Sequence, residues 1–590
     1  MVKWSRTIGA IAMGITSAVV LSPAAQASPL QVVYPPQEHE TVADRIFFIG
    51  TADPDAPVLL NGQPIEERSP AGHFAPSIPL DLGDNEITLT QGETSLTFRV
   101  TRVSLEPVLP EGLGFVEGSL TPAADVTYPP GEWVCFRAIA PAQSRVQVNL
   151  ATSLVELTPR QNVVALPPNS AALTADNDPL PLQATTYEGC MAPDGTGNLG
   201  QPTYTLTRGG QSVGAMAPGS VSVVPVPPFA VAEVTAEAGV ARTGPSTDYS
   251  RLTPLPRGTR AAVTAREGDW LRLDYGGWIR ASETRISQSA APPRSRIRSV
   301  RSRQIPGWTE VRFPLEVPVP VSIAQTADTL TLTLYNTVPQ TDTIYPEQDP
   351  VIARLDWQPI LPDQAQYTLH FKPRQQWGYT VRYEGTTLVL ALRHPPQVSR
   401  DRPLAGTTIL IDPGHGSEND LGALGPTGYP EKDVNLVVSK LLRAALEARG
   451  ARVVMTREGD DDLFPGDRVE IINQVQPTLA ISVHYNALPD SGDALNTAGI
   501  GTFWYNTQAH SLAQWIHDDL TQRLGRPSYG VFWNNLALTR PTIAPSVLLE
   551  LGFMINPYEF EWIVDPDAQR DLADALAASI EAWMRQATQP

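Results

Sequence analysis

Three stretches of the chain set polar, ligand-type side chains just past short apolar runs. Thr408-Ile409-Leu410-Ile411 is stopped by Asp412-Pro413-Gly414, which puts His415 beyond the C-terminal end of a strand. Thr478-Leu479-Ala480-Ile481-Ser482-Val483 delivers His484 in the same way, and Ser546-Val547-Leu548-Leu549 delivers Glu550. A catalytic zinc takes three protein ligands and keeps one position open, and two histidines with one carboxylate are a common set. His415 and His484 supply the first two. Glu431, in Tyr429-Pro430-Glu431-Lys432-Asp433, is the carboxylate best placed to join them, because it opens a helix soon after the first strand. The helix dipole also favours a carboxylate there, so on spacing alone Glu431 reads equally as a cap. The separations, 16 residues from His415 to Glu431 and 53 from Glu431 to His484, are too long for a local motif. Glu550 lies in an apolar run, a setting that raises a carboxyl pKa and suits it to take a proton from water and pass it to a leaving amine.

The elements that must position these residues begin near 406, where strands and helices alternate. Glu431 to Arg449 reads as a helix with Val434, Val437, Leu441, Leu442, Ala445 and Leu446 on one face, ended by Gly450. Amphipathic helices are also expected around Ser511 to Leu524 and Ala568 to Met584. This order predicts an α/β domain with a mainly parallel sheet covered on both faces, its ligands bound outside the strands' carboxyl ends.

Five motifs in this region, Ile411-Asp412-Pro413-Gly414-His415-Gly416, Gly422 to Pro426 leading to Glu431-Lys432-Asp433-Val434-Asn435-Leu436, Thr456-Arg457, Ile481 to Ala487, and Leu549 to Asn556, together resemble the zinc-dependent N-acetylmuramoyl-L-alanine amidases of the amidase-3 type. The resemblance covers about 404 to 588. It implies one zinc ion on His415, Glu431 and His484, Glu550 as the catalytic carboxylate, and hydrolysis of the amide between N-acetylmuramic acid and L-alanine of the stem peptide of peptidoglycan. Asp412 and Asn486 either orient ligands or form turns. Arg540 either meets a stem-peptide carboxylate or is solvated. Some members of the family carry a helical plug between the second histidine and the catalytic glutamate, and the short polar loop after Ala487 leaves no room for one.

The front of the chain reads differently. With 57 prolines in 590 residues, many edge strands and connectors are expected. Residues 1–27 resemble an export signal: Lys3 and Arg6, an apolar run from Ile8 to Leu21, then Ala25-Gln26-Ala27. An exported protein of the periplasm or cell wall is therefore expected, with an uncleaved anchor as the alternative. In that setting Cys135 and Cys190 permit one disulfide; two buried free thiols are the other reading. Residues 28–102 alternate short strands and turns, with Asn61-Gly62 as a hairpin signal, and resemble a small immunoglobulin-like sandwich. His73 there is read as a solvated strand residue. Residues 103–222 are read as a second β domain, followed by a connector at 223–229. Residues 230–286, with Arg242-Thr243-Gly244-Pro245-Ser246, Gly268-Asp269-Trp270-Leu271 and Gly276-Gly277-Trp278-Ile279, resemble a bacterial SH3 module, whose Trp270 and Trp278 either fill a core or line a groove for a wall ligand. A flexible linker is expected from Ser287 to Arg296. Residues 297–394, where Leu330, Leu332 and Leu334 alternate with threonines, resemble the β-rich localisation domain placed ahead of wall amidases, and a linker leads to a catalytic domain at 404–588.

The net charge of −19 excludes nucleic acid as a partner and any merely electrostatic grip on an anionic polymer. No segment beyond the leader is long and apolar enough to cross a bilayer. Two other classes compete with a peptidoglycan amidase: a wall-binding protein with a silent core, which the presence of all four chemical residues disfavours, and a zinc peptidase acting on free peptides.

Overall fold

The structure is a computed structural model that describes residues 29–104, 108–160, 164–165, 180–181, 185–224, 228–345 and 348–589. The leader at 1–27 and part of the connector at 223–229 lie outside the described residues.

Up to about residue 394 the described chain is almost wholly β. Its four apolar cores are built around Phe48 and Phe98, Phe136 and Tyr187, Leu255 and Ile279, and Phe313 and Leu390. Alternation explains the sheets: in Thr329–Leu334 the leucines are buried and the threonines half-buried. Asn61 and Gly62 both take positive φ and turn Leu59–Leu60 back into Gln63–Pro64. Cys135 and Cys190 face each other on the antiparallel strands Val134–Ala140 and Thr185–Met191 and are joined by a disulfide.

The β units are not beads on flexible strings. Val126–Tyr128 of the second pairs with Arg260–Glu267 of the third, so one sheet runs through both. Half of the flexible linker expected from Ser287 to Arg296 is strand. Thr284–Ser289 pairs with Phe229–Val234, and Ser295–Ile305 begins the next sheet, leaving the two prolines in a short turn. Trp270 and Trp278 are half-buried, and guanidiniums cover their faces: Arg280 lies 5.3 Å from the Trp270 ring and Arg272 6.0 Å from Trp278. His73 is buried rather than solvated. Its Nδ1 pairs with Thr51 Oγ1 at 2.9 Å and its ring packs edge-on against Phe560, because the first β unit docks on the C-terminal domain.

That domain is built from β1 (Thr408–Pro413), α1 (Glu431–Ala448), β2 (Arg452–Met455), α2 (Pro465–Val475), β3 (Leu479–Asn486), β4 (Ile500–Trp504), α3 (Thr507–Leu524), β5 (Ser528–Trp533), β6 (Ser546–Phe553), α4 (Pro557–Val564) and α5 (Pro566–Ala587). The sheet order is β2-β1-β3-β6-β4-β5. The first four strands are parallel; β4 runs against β6 and β5 follows β4, so the sheet is mixed. Ile409 and Ile411 of β1 pack under α1, α3 and α5, while Leu410 faces Ile472 of α2 and Leu548. Trp308 of the fourth β unit packs on that second face. On α1 the buried apolar stripe is Val434, Val438, Leu442 and Leu446. Val437, expected on it, lies about 100° round from Val438 and is exposed. Among the described residues no helix is long and apolar enough to cross a membrane.

Candidate active site

β1 ends at Pro413, and the N–H of Gly414 donates to Val483 O on the neighbouring β3 at 2.9 Å. The first loop thus lies directly on the second histidine. A Cβ at position 414 would stand 2.2 Å from His484 Cε1, so only glycine fits. His415 then takes φ +58°, a left-handed conformation that costs a non-glycine residue on the order of 1–3 kcal/mol.

Two buried arginines hold that turn. Arg468 donates to His415 O at 2.6 Å, to Pro413 O at 2.8 Å and to Asp412 Oδ1 at 2.7 Å. Arg457 donates to Pro413 O, Gly414 O and, at 2.7 Å, Lys432 O. The other Asp412 oxygen accepts from Ser482 Oγ at 2.6 Å. Asp412 therefore anchors the arginine that shapes the His415 backbone and makes no contact with either imidazole.

Glu431, the first residue of α1, points back under both histidines. Its Oε2 is 3.2 Å from His415 Nε2 and its Oε1 is 3.1 Å from His484 Nδ1. One ligand atom from each of the three residues lies within 4.8 Å of the others. The carboxylate also accepts from Ala423 N, Tyr485 N and Asn435 Nδ2. Gly422, at φ +70°, makes room for it, since a Cβ there would be 2.5 Å from Glu431 Oε2. Burial pushes the Glu431 pKa up, but hydrogen bonds and charges from both histidines prevail and hold it well below the carboxylate range. Burial likewise pushes His415 down, yet Glu431 and Asp420 outweigh it and set its pKa at about 9.

Asp420 is the site residue that sequence reasoning missed. Its Oδ1 lies 2.5 Å from His415 Nδ1, which leaves Nε2 aimed at Glu431. The one signal available was an acidic residue in the loop just after His415.

Glu550 is the register partner of His484 across β3 and β6, so the two side chains share a face of the sheet. Burial, then the charge of Glu431, raise its pKa well above the carboxylate range. Its Oε2 is buried with no hydrogen-bond partner among the described residues. Such an atom is costly unless something outside the protein pairs with it.

Two expected contributors lie elsewhere. Asn486 Oδ1 accepts from Ala487 N at 2.8 Å, and its carbonyl accepts from Met554 N, so it shapes the turn after β3. Arg540 sits at the opposite end of the sheet, because β4 and β5 run against β6 and the chain re-enters β6 from that end. Its guanidinium donates to Asn535 Oδ1 and O.

The first β unit borders the site. Tyr34 Oη and His39 Nε2 meet Asp490 in the loop after β3, and Phe47 and Ile49 share an apolar core with Phe553 and Ile555. Residues 487–499 contain turns and no helix.

Two imidazoles and a carboxylate with convergent donor atoms, one histidine oriented from behind by Asp420, fit a zinc ion. Beside them stands a carboxyl group of raised pKa. This arrangement is suited to hydrolysis with a metal and one general base.

Residues 409–582 match the family described as N-acetylmuramoyl-L-alanine amidase (Amidase_3). The germination-specific N-acetylmuramoyl-L-alanine amidase of Bacillus subtilis (strain 168) is 32% identical over 210 residues, spanning 32% of this chain and 84% of that one. A probable cell wall amidase, LytH, of Staphylococcus epidermidis is 34% identical over 182 residues, spanning 31% of this chain and 60% of that one. Among solved structures, an N-acetylmuramoyl-L-alanine amidase from Clostridium difficile 630 is 29% identical and covers 30% of this chain and 97% of that chain, with a TM-score of 0.29. Through its C-terminal domain the chain belongs to the N-acetylmuramoyl-L-alanine amidase family.

Proposed function

We propose that the protein hydrolyses the amide bond between N-acetylmuramic acid and L-alanine of the peptidoglycan stem peptide, with His415, Glu431 and His484 holding one zinc ion and Glu550 moving the proton. The observation that carries this reading is the convergence itself: one buried carboxylate bridges both histidines, and Glu550 faces His484 from the adjacent strand. Zinc bound there would supply Lewis acidity, lowering the pKa of a water and polarising the scissile carbonyl. Glu550 takes the proton of the attacking water and returns it to the departing alanine nitrogen. A carboxyl of raised pKa suits both steps, since it is neither too weak a base nor too weak an acid. Asp420 holds the tautomer of His415, and Arg468 holds its backbone.

The whole chain is read as an exported enzyme of the periplasm or wall. Its β units, at 28–102, 103–222, 230–286 and 297–394, place the catalytic domain of 404–588 on peptidoglycan, and the third contributes a wall-ligand contact. The family relationship and the wall-type resemblance of the front units support this. The test is mass spectrometry of purified sacculi digested by the mature chain, with and without a zinc chelator. Free stem peptides beginning at L-alanine should appear only without chelator. Intact muropeptides in both samples, with the protein still pelleting on the wall, would make it a binding protein instead.

A further inference from the structure

Arginines gather at the end of the sheet away from the histidines. Because β4 and β5 run against β6, Tyr505 and Trp533 emerge there. Trp533 is 63% exposed. Its ring stacks on Tyr505 with 5.2 Å between centroids and 26° between planes, and its Nε1 donates to Tyr505 O at 3.0 Å. An indole pinned by a stack and a hydrogen bond, with most of its surface in water, offers a preformed flat face.

The third β unit is brought to the same place through the fourth. Thr253 Oγ1 accepts from Ile323 N at 2.8 Å, and Gln325 Nε2 donates to Gln508 Oε1 at 2.9 Å near the start of α3. Arg242 and Arg251 face each other across an isolated bridge in the third unit. Both bear electrostatically on Arg540, and Arg251 lies within the influence of Tyr505. The Arg242 guanidinium donates to Thr247 O and Tyr249 O, and that of Arg540 to Asn535. These acceptors are carbonyl and amide oxygens, which carry no full negative charge. Asp248 and Glu283 are the carboxylates whose fields reach Arg242, and Glu283 reaches Arg251 as well. Three guanidiniums drawn together repel one another, and an added anion relieves that repulsion. In a chain of net charge −19 such a cluster is a local exception.

We propose that Trp533, Tyr505, Arg540 and Arg251 form an anchoring site, remote from the catalytic crevice, for a sugar ring that carries or adjoins a carboxylate, with the buried Arg242 adding its charge from behind. The ring lies on the Trp533 face and the carboxylate is held by the guanidinium forks. The inference rests on peptidoglycan as substrate, where uncrosslinked stem peptides set carboxylates beside amino sugars. An acidic polysaccharide attached to the wall presents the same chemistry.

The test is pelleting of the full chain with sacculi in the presence of chelator, so that the wall stays intact, alongside release of stem peptides from soluble disaccharide-peptides by the zinc-loaded chain. Trp533→Ala and Arg251→Gln should each weaken pelleting about tenfold. Trp533→Phe should retain most of the binding, and all three should process the soluble substrate like the wild type. Amidating the sacculus carboxylates should weaken wild-type binding to the level of the variants. Stripping attached polysaccharide separates the sources: binding that survives places the carboxylate on the stem peptide, and binding that is lost places it on the polysaccharide. Equal pelleting by wild type, Trp533→Ala and an Arg251→Gln chain of unchanged melting temperature would overturn the proposal. If instead the amidase reading is at fault, no chain releases stem peptides while the differences in pelleting remain.

Discussion

The two ends of one sheet have opposite chemistry. Where β1, β3 and β6 end, two histidines, two glutamates and Asp420 converge, with Glu431 buried and the others half-buried. Where β4 and β5 end, an exposed tryptophan stacks on Tyr505, and the charges of Arg251 and Arg540 bear on that tyrosine. Strand direction alone sorts them, since four parallel strands deliver their last residues to one end and two reversed strands deliver theirs to the other. The neighbouring β units divide in the same way: the first docks beside the loops that carry the histidines, and the fourth meets the far end and brings the third with it. A mixed sheet would therefore keep the proposed reaction and the proposed anchoring site apart while joining them through one domain.

The sharpest way to break this comparison is to exchange charge at each end. Glu550→Gln should lower kcat on a soluble disaccharide-peptide roughly 10²–10⁴-fold with zinc content unchanged. Arg540→Gln should leave kcat within about twofold, because its guanidinium bonds Asn535 at the far end of the sheet and touches no reacting group. If Arg540→Gln cost as much as Glu550→Gln, the two ends would not be functionally separate. Gly414→Ala comes next. Its methyl would meet the His484 ring at 2.2 Å, and displacing one ligand by an ångström costs on the order of 10²-fold in kcat/KM. Kinetics with zinc analysis on the folded variant would check it.

Asp420→Asn sharpens the comparison from behind the site. Losing the charged partner of His415 Nδ1 should weaken zinc binding about 10–100-fold while leaving sacculus pelleting in chelator unaffected. Zinc uptake should also depend on pH with a definite sign. In the metal-free protein His415 holds its proton up to about 9, stabilised by Glu431 and Asp420, whereas a zinc ligand must be neutral. At pH 7 each zinc bound should therefore release about one proton, and affinity should fall as pH is lowered, by about tenfold per unit. Calorimetry in two buffers of different ionisation enthalpy measures the proton count directly. A count of zero would mean that His415 is already neutral.

The catalytic half was legible because its signals are local and chemical. A β-branched run cut by Asp412-Pro413-Gly414 could only put His415 at a strand end, and the apolar setting of Glu550 announced a carboxyl of raised pKa. What escaped were contacts made across the fold. Asp420 looks like any loop acid until the turn brings it to His415. Asp412 and Asn486 lie in the right motifs, yet their side chains face Arg468 and the next backbone amide. Arg540 was read as meeting a stem-peptide carboxylate or being solvated, but strand polarity decides which end a residue reaches, and β4 runs against β6 for reasons that a short apolar stretch does not encode. His73 was read as solvated and 287–296 as a flexible linker because composition says nothing about what packs on or pairs with a strand from another unit.

The smallest effect expected concerns the dock of the first β unit on the site end. Asp490, in the loop that follows β3, accepts from Tyr34 Oη and from His39 Nε2, the latter at 2.8 Å. Beneath them Phe47, Ile49 and Ala75 bury against Ala494, Phe553 and Ile555. Asp490→Ala removes hydrogen bonds to a charged group, about 1.5–3 kcal/mol of docking energy, and leaves the apolar contact in place. The chain should then melt a few degrees lower, whereas Trp533→Ala, which uncovers no core, should melt with the wild type. Calorimetric scans of the three proteins distinguish two kinds of attachment. A lowered transition for Asp490→Ala alone means that the first unit is fastened to the catalytic loops by polar contacts that add to its apolar seat. Coincident transitions mean that the apolar seat suffices, and that the loop after β3 keeps its shape without the clamp.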